Sequence, residues 1–222
     1  IMGFYRGPNI VTDGLVFAVD AGSTRSYAGS GTTAYNLVAN NDISLINGLG
    51  WQSGNGGYFS SDGTDDGMTT PDATNLDLVD FTLEGWVWWD QHKDYGSFLV
   101  KGPGGSGNLF NYSFFGYATT VSFGYGDGSN YRATSISSPA INEWHHIIGT
   151  YDGSTLKFYL NSTLTNSNTT SATPNQNNDA LQILQSNYSI DGRIGCARVY
   201  NRALTSAEVT QNFNAQKSRF GL

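Results

Sequence analysis

Residues 142–161, N-E-W-H-H-I-I-G-T-Y-D-G-S-T-L-K-F-Y-L-N, set two of the chain's three histidines side by side, close to Glu143. Imidazole beside carboxylate is the raw material of proton transfer and of metal ligation. The apolar residues around the pair read as a strand, however, and neighbouring side chains on a strand face opposite ways. Trp144, His146, Ile148 and Thr150 then share one face, and His145, Ile147, Gly149 and Tyr151 share the other. Two histidines on opposite faces cannot close on one ion or pass a proton between them. Asp152-Gly153 follows, a pair suited to the positive φ of a tight hairpin turn. Leu156, Phe158 and Leu160 share one face of the returning strand, so the stretch is expected to be a core hairpin and not a site.

Hard-oxygen chemistry has a better footing in S-S-D-G-T-D-D-G-M, residues 60–68, where Asp62, Asp65 and Asp66 crowd one loop. Calcium collects roughly six to eight such oxygens, although this spacing is not an EF-hand's and Asp-Gly also suits plain turns. Asp20 with Asp191 is a second candidate for calcium. Saccharide recognition needs aromatic planes for sugar C–H faces, with amides and carboxylates for the hydroxyls. Tyr125, Asp127, Asn130 and Tyr131 offer both around one tight loop, with Trp51, Tyr58 and Trp89 as further aromatic candidates. Cys196, the single cysteine, lies in an apolar run and reads as a buried, inert thiol. G-P-G-G-S-G-N, residues 102–108, lacks the Gly-Lys-Ser/Thr end of a phosphate loop and runs into a strand pattern, so it is expected to be a turn.

The elements that must position these residues are mostly strands. Aromatic residues make up 14 % of the 222 residues and charged ones only 13 %, with 28 glycines as punctuation. That balance fits a β-rich chain with many turns and argues against disorder. Strand patterns fall at 15–20, 81–89, 97–101, 110–115, 120–125, 131–135, 144–151, 156–160, 180–184 and 192–200. Many short strands between Gly/Asn/Asp/Ser clusters predict an all-β antiparallel sandwich, and no composition shift divides 1–222 into two domains. Thr205-Ser-Ala-Glu208 is a capping box, with Leu204 and Val209 at the positions of a hydrophobic staple. It predicts one short helix over 206–217, with Lys217 and Arg219 near its negative end. Net charge is −7 with no basic run, which argues against nucleic acid as a partner. No apolar stretch approaches the ~20 residues of a membrane helix, and I-M-G-F-Y-R-G-P-N-I has no signal-peptide core.

W-H-H-I-I-G-T-Y-D-G (144–153), F-T-L-E-G-W-V-W-W-D (81–90), F-L-V-K-G (98–102) and D-G-R-I-G-C-A-R-V-Y-N-R-A-L-T-S-A-E-V (191–209) together resemble the laminin-G-like, concanavalin A-like jelly-roll domains over about residues 10–215. The resemblance implies a jelly roll with a closing helix, and it strengthens the expectation of calcium. The opening block G-F-Y-R-G-P-N-I-V-T-D-G-L-V-F-A-V-D-A-G-S-T-R-S-Y-A-G-S-G-T-T-A-Y-N-L-V (3–38) and the ending N-F-N-A-Q-K-S-R-F-G-L are similar to laminin-G-like structural proteins of tailed bacteriophages of marine and cyanobacterial hosts. This implies an extracellular place on a virion surface. Other capsid, tail or fibre proteins, host glycans and further copies of the chain would be the partners. A secreted or cell-surface bacterial carbohydrate-binding module is the alternative, and a jelly-roll glycan hydrolase is the third reading. Jelly-roll glucanases carry Glu-x-Asp-x-x-Glu on one strand, whereas here Glu84, Trp86, Trp88 and Asp90 share the corresponding face. At ~3.3 Å per residue, Glu84 and Asp90 stand about 20 Å apart, too far for a glycosidase pair. No enzyme activity is expected.

Overall fold

The computed structural model describes residues 8–39, 42–103, 105, 107–185 and 187–222. Two antiparallel sheets face each other. The first runs β14 (Thr163–Thr169), β13 (Thr155–Leu160), β12 (Trp144–Tyr151), β7 (Phe81–Gln91), β16 (Asp191–Tyr200), β5 (Tyr58–Asp62) and β4 (Gly50–Gln52), with β1 (Leu15–Asp20) paired to the second half of β16. The second runs β11 (Tyr131–Ser137), β10 (Thr120–Gly126), β9 (Tyr112–Tyr117), β8 (Gly96–Lys101), β15 (Leu181–Ile183), β6 (Gly67–Thr70), β3 (Asp42–Ile46) and β2 (Thr33–Tyr35).

Strand alternation fills the space between them. Phe81 and Leu83 of β7, Ile147 and Tyr151 of β12, and Leu156 and Phe158 of β13 meet Phe114 of β9 with Phe123 and Tyr125 of β10. Each such side chain contributes about 1.5–3 kcal/mol on burial. Gly149 permits the closest approach, since a Cβ there would come within 2.1 Å of the Phe123 ring. The hairpin of β12 and β13 forms as expected, with Tyr151 opposite Leu156 and the Asp152 carboxylate accepting from the Ser154 and Thr155 N–H groups.

The outer face of the first sheet is covered by α1 (Ser206–Gln216) and the turn that follows it. Both halves of the capping box form, and Leu204 and Val209 are buried together. The helix ends one residue before the expected boundary, and Lys217–Phe220 tighten into a 3₁₀ turn. That turn brings Phe220 onto Trp86, stacked at 4.3 Å, and lets Arg219 ion-pair with Asp20 at 2.7 Å. The N-terminal segment docks on the same face, where the Val11 N–H donates to Asn212 Oδ1 and Gln211 donates to the Asn9 carbonyl. The two sheets are also joined along one rim. The side chains of Asn166 and Asn168 on β14, a strand with every residue exposed, donate to the Ser135 and Ala133 carbonyls of β11.

Candidate functional site

Among the described residues, no α-helix covers the outer face of the second sheet. On β9, Tyr112 and Phe114 point into the core, so Phe115 and Tyr117 stand outward. A bulge in β8 between Ser97 and Leu99 sends both Phe98 and Leu99 inward and leaves Ser97 opposite Phe115. Tyr131 opens β11 on the same outer face, its hydroxyl 2.9 Å from Ser113 Oγ. The rings form a continuous series: Tyr95 to Tyr117 at 5.3 Å, Tyr117 to Phe115 at 5.7 Å, Phe115 to Tyr131 at 5.0 Å.

These residues floor a groove of about 680 Å³, with walls that include Asn108, Ser129, Asn130, Gln185 and Tyr188. Tyr95 in the groove lining holds a positive φ of 63° without being glycine, and Leu184 at 56° and Asn187 at 67° do so in the segment that carries Gln185 and Tyr188. Tyrosine and leucine rarely adopt that conformation, and such strain gathers where a side chain must be aimed. Tyr95 is 56 % and Tyr117 40 % exposed, so two aromatic planes are open to a ligand. Burial raises the Tyr131 phenol well above its ordinary range, which keeps it a neutral donor and acceptor.

The sequence-derived ligand set divides. Asn130 and Tyr131 line the groove. Tyr125 does not: it is fully buried, and its hydroxyl donates to Tyr151 at 2.9 Å on the core side of β10. Asp127 is consumed by its own turn, accepting from the Asn130 and Ser129 N–H groups at 2.7 and 2.8 Å and from Arg132 at 2.7 Å. Those bonds hold its carboxyl below the usual range. Trp89 is core, Trp51 is half-buried and donates to the Ala21 carbonyl, and Tyr58 packs on Trp144. The sequence reading missed Tyr95, Phe115, Tyr117, Gln185 and Tyr188. The available signal was Phe115 and Tyr117, two aromatic residues spaced by two on the face opposite a buried Phe.

Of the acidic candidates, Asp62, Asp65 and Asp66 converge, each offering a carboxylate oxygen within 4.8 Å of the others. Burial raises the Asp66 pKa, a bond from the Asp62 N–H lowers it, and repulsion from Asp62 and Asp65 raises it further. A divalent cation would relieve that repulsion, so the donor set fits calcium. Lys93 already takes the Gly63 carbonyl inside the loop. Asp20 and Asp191 do not meet: Asp20 pairs with Cys196 and binds Arg219, whereas Asp191 lies opposite Asp62 and binds Gln91. As a metal pair they are withdrawn, and Asp191 becomes a neighbour of the acidic loop.

The histidines are on opposite faces, and both are buried. His145 lies 2.9 Å from the Ala140 carbonyl, on the core side. His146 lies under the helix, 3.0 Å from Glu84, whose two oxygens also take Arg198 at 2.6 Å, Asn212 at 2.8 Å and Tyr200 at 3.2 Å. Burial would raise the Glu84 carboxyl, but Arg198, His146 and Asn212 outweigh it and bring it to about 2. No local pattern signals this network, because its members come from four elements. The Cys196 thiol, 1 % exposed, is pushed up to about 12 by burial, in keeping with an inert thiol.

No curated protein matches the chain by sequence. Among solved structures, domain 4 of AbnA, a GH43 extracellular arabinanase from Geobacillus stearothermophilus in complex with arabinotriose, matches with TM-score 0.69 at 15 % identity, covering 90 % of this chain and 98 % of that one. The binding domain of botulinum neurotoxin DC in complex with rat synaptotagmin II matches at TM-score 0.71 and 12 % identity, covering 91 % and 52 %. Trypanosoma rangeli sialidase in complex with sialic acid matches at 0.69 and 17 %, covering 96 % and 35 %. The chain thus spans about half of the neurotoxin domain and about a third of the sialidase. At these identities the likeness is one of fold. The sequence model of the concanavalin A-like lectin/glucanases superfamily, laminin-G type, matches residues 62–210, and the chain belongs to that family.

Proposed function

We propose that this domain is a non-catalytic glycan-binding module whose ligand lies in the groove on the outer face of the second sheet. The observation that carries this is the groove itself: tyrosine planes beside uncharged amides and hydroxyls, with strained residues aiming its rim. Aromatic planes take sugar C–H faces, and amides match both the donor and acceptor sides of sugar hydroxyls. The glutamates support the non-catalytic reading. Glu84 is locked in its buried network, Glu208 caps the helix, and Glu143 stands exposed near His145. A laminin-G-type fold and an arabinotriose-bound neighbour of the same size accord with this role.

In our reading the module sits on a virion surface, where it would hold the particle to host glycans; the resemblance of its opening and closing blocks to tailed-phage structural proteins supports this. The acidic loop is its calcium site. The test is isothermal titration against host-surface polysaccharide, with Tyr117→Ala beside the wild type. Binding that falls at least about tenfold in the variant, without release of reducing sugar from the polysaccharide, supports the reading. Sugar release would make the domain an enzyme. Immunogold labelling of particles separates the virion role from that of a free bacterial module.

A further inference from the structure

The groove's chemistry goes further than its shape, and the inference rests on the glycan-binding reading above. Among the described residues, its lining is made of tyrosines, phenylalanines, glycines, serines, asparagines and one glutamine, with no lysine, arginine, histidine or carboxylate. The charged residues next to lining residues in the chain have partners of their own. Asp127 and Arg132 pair with each other at 2.7 Å, and Asp94 accepts from the Ala118 N–H. Tyr131 stays protonated, since burial raises its phenol. Gln185 is 4 % exposed and lines the groove, and no described residue takes its side-chain amide. In the groove lining that amide offers both a donor and an acceptor to a ligand hydroxyl.

We propose that the groove selects uncharged glycan chains and excludes sialylated or uronic-acid glycans. A carboxylate entering it would lose much of its hydration and meet no cation in return, a cost that hydroxyls bonded to amides do not incur. The chain's net charge of −7 adds repulsion at longer range. The series of rings from Tyr95 through Tyr117 and Phe115 to Tyr131 suits several consecutive sugar faces more than a single terminal residue. The ligand is therefore an internal stretch of a neutral polysaccharide.

The test uses the whole chain on an array of matched pairs, each neutral oligosaccharide beside the same one carrying a sialic or uronic acid. The neutral members are expected to bind about tenfold or more tightly than their acidic partners, with little change between low and high salt. Gln185→Ala should weaken the neutral members, and Asn130→Arg, at the exposed rim, should admit the acidic ones. Equal or tighter binding of the acidic members, lost with Tyr117→Ala, would overturn the charge selection and leave glycan binding intact. Absence of binding to either class would overturn the glycan-binding reading and this inference with it.

Discussion

Two tyrosines six residues from one another show how little residue type says about role. Tyr125 and Tyr131 both flank the loop at 126–130, and both looked equally fit for sugar. Only the pleat separates them, sending Tyr125 inward to Tyr151 and Tyr131 outward to Ser113. Tyr125→Ala is expected to cost about 3–5 kcal/mol in urea unfolding, as large aromatic truncations in cores do. Tyr117→Ala should leave the urea midpoint nearly unchanged while glycan affinity falls. Glu84 sets a second test. Its carboxyl is lowered from 4.5 to about 2, so its contribution to stability is complete above about 4.5 and is lost as pH falls through about 2. Glu84→Gln leaves Arg198 buried without its counter-charge, at an expected cost of about 3–5 kcal/mol near neutral pH, and the acid limb of the stability profile should flatten. The alternation that freed the histidine pair from suspicion was legible in sequence. The partner of His146 was not, because Glu84 lies 62 residues away and a strand pattern names a face without naming what covers it.

At the scale of elements, legibility followed the strength of the local pattern. The helix was readable because its start is written in four residues, Thr205 to Glu208, and those bonds all form. Thr205→Ala should lower stability by about 1 kcal/mol, with the loss visible in the melting midpoint. The long strands β7, β12 and β16 were legible from their apolar runs. β2 to β6 were not, being three to five residues each among Gly, Ser and Asn. β14 escaped for another reason: T-L-T-N-S-N-T is exposed throughout, so no face of it is apolar. What holds β14 is its pairing with β13 and the reach of Asn166 and Asn168 to β11. The groove depends equally on an unwritten feature, the bulge at Phe98 that turns Ser97 outward.

At the scale of the molecule, the acidic loop joins β5 to β6 and so ties one sheet to the other. Calcium held there would cross-link them in the native state alone, so it should raise the melting temperature with the logarithm of its excess over Kd. Chelator should reverse the shift, and Asp66→Asn should abolish it. Sequence alone pointed to this loop because its three carboxylates are neighbours in the chain. The groove draws from β8, β9, β11 and the connections between strands, so reading along the chain found only Asn130 and Tyr131 of it. The placement of the ends has a further consequence. The N-terminal segment and the Phe220 turn both lie on the helix-covered side of the sandwich, while the groove opens on the opposite side. Anything fused or anchored at either end holds the domain by its back. The groove then faces outward without a linker having to turn it, and many copies fixed to one support would present their grooves in the same direction.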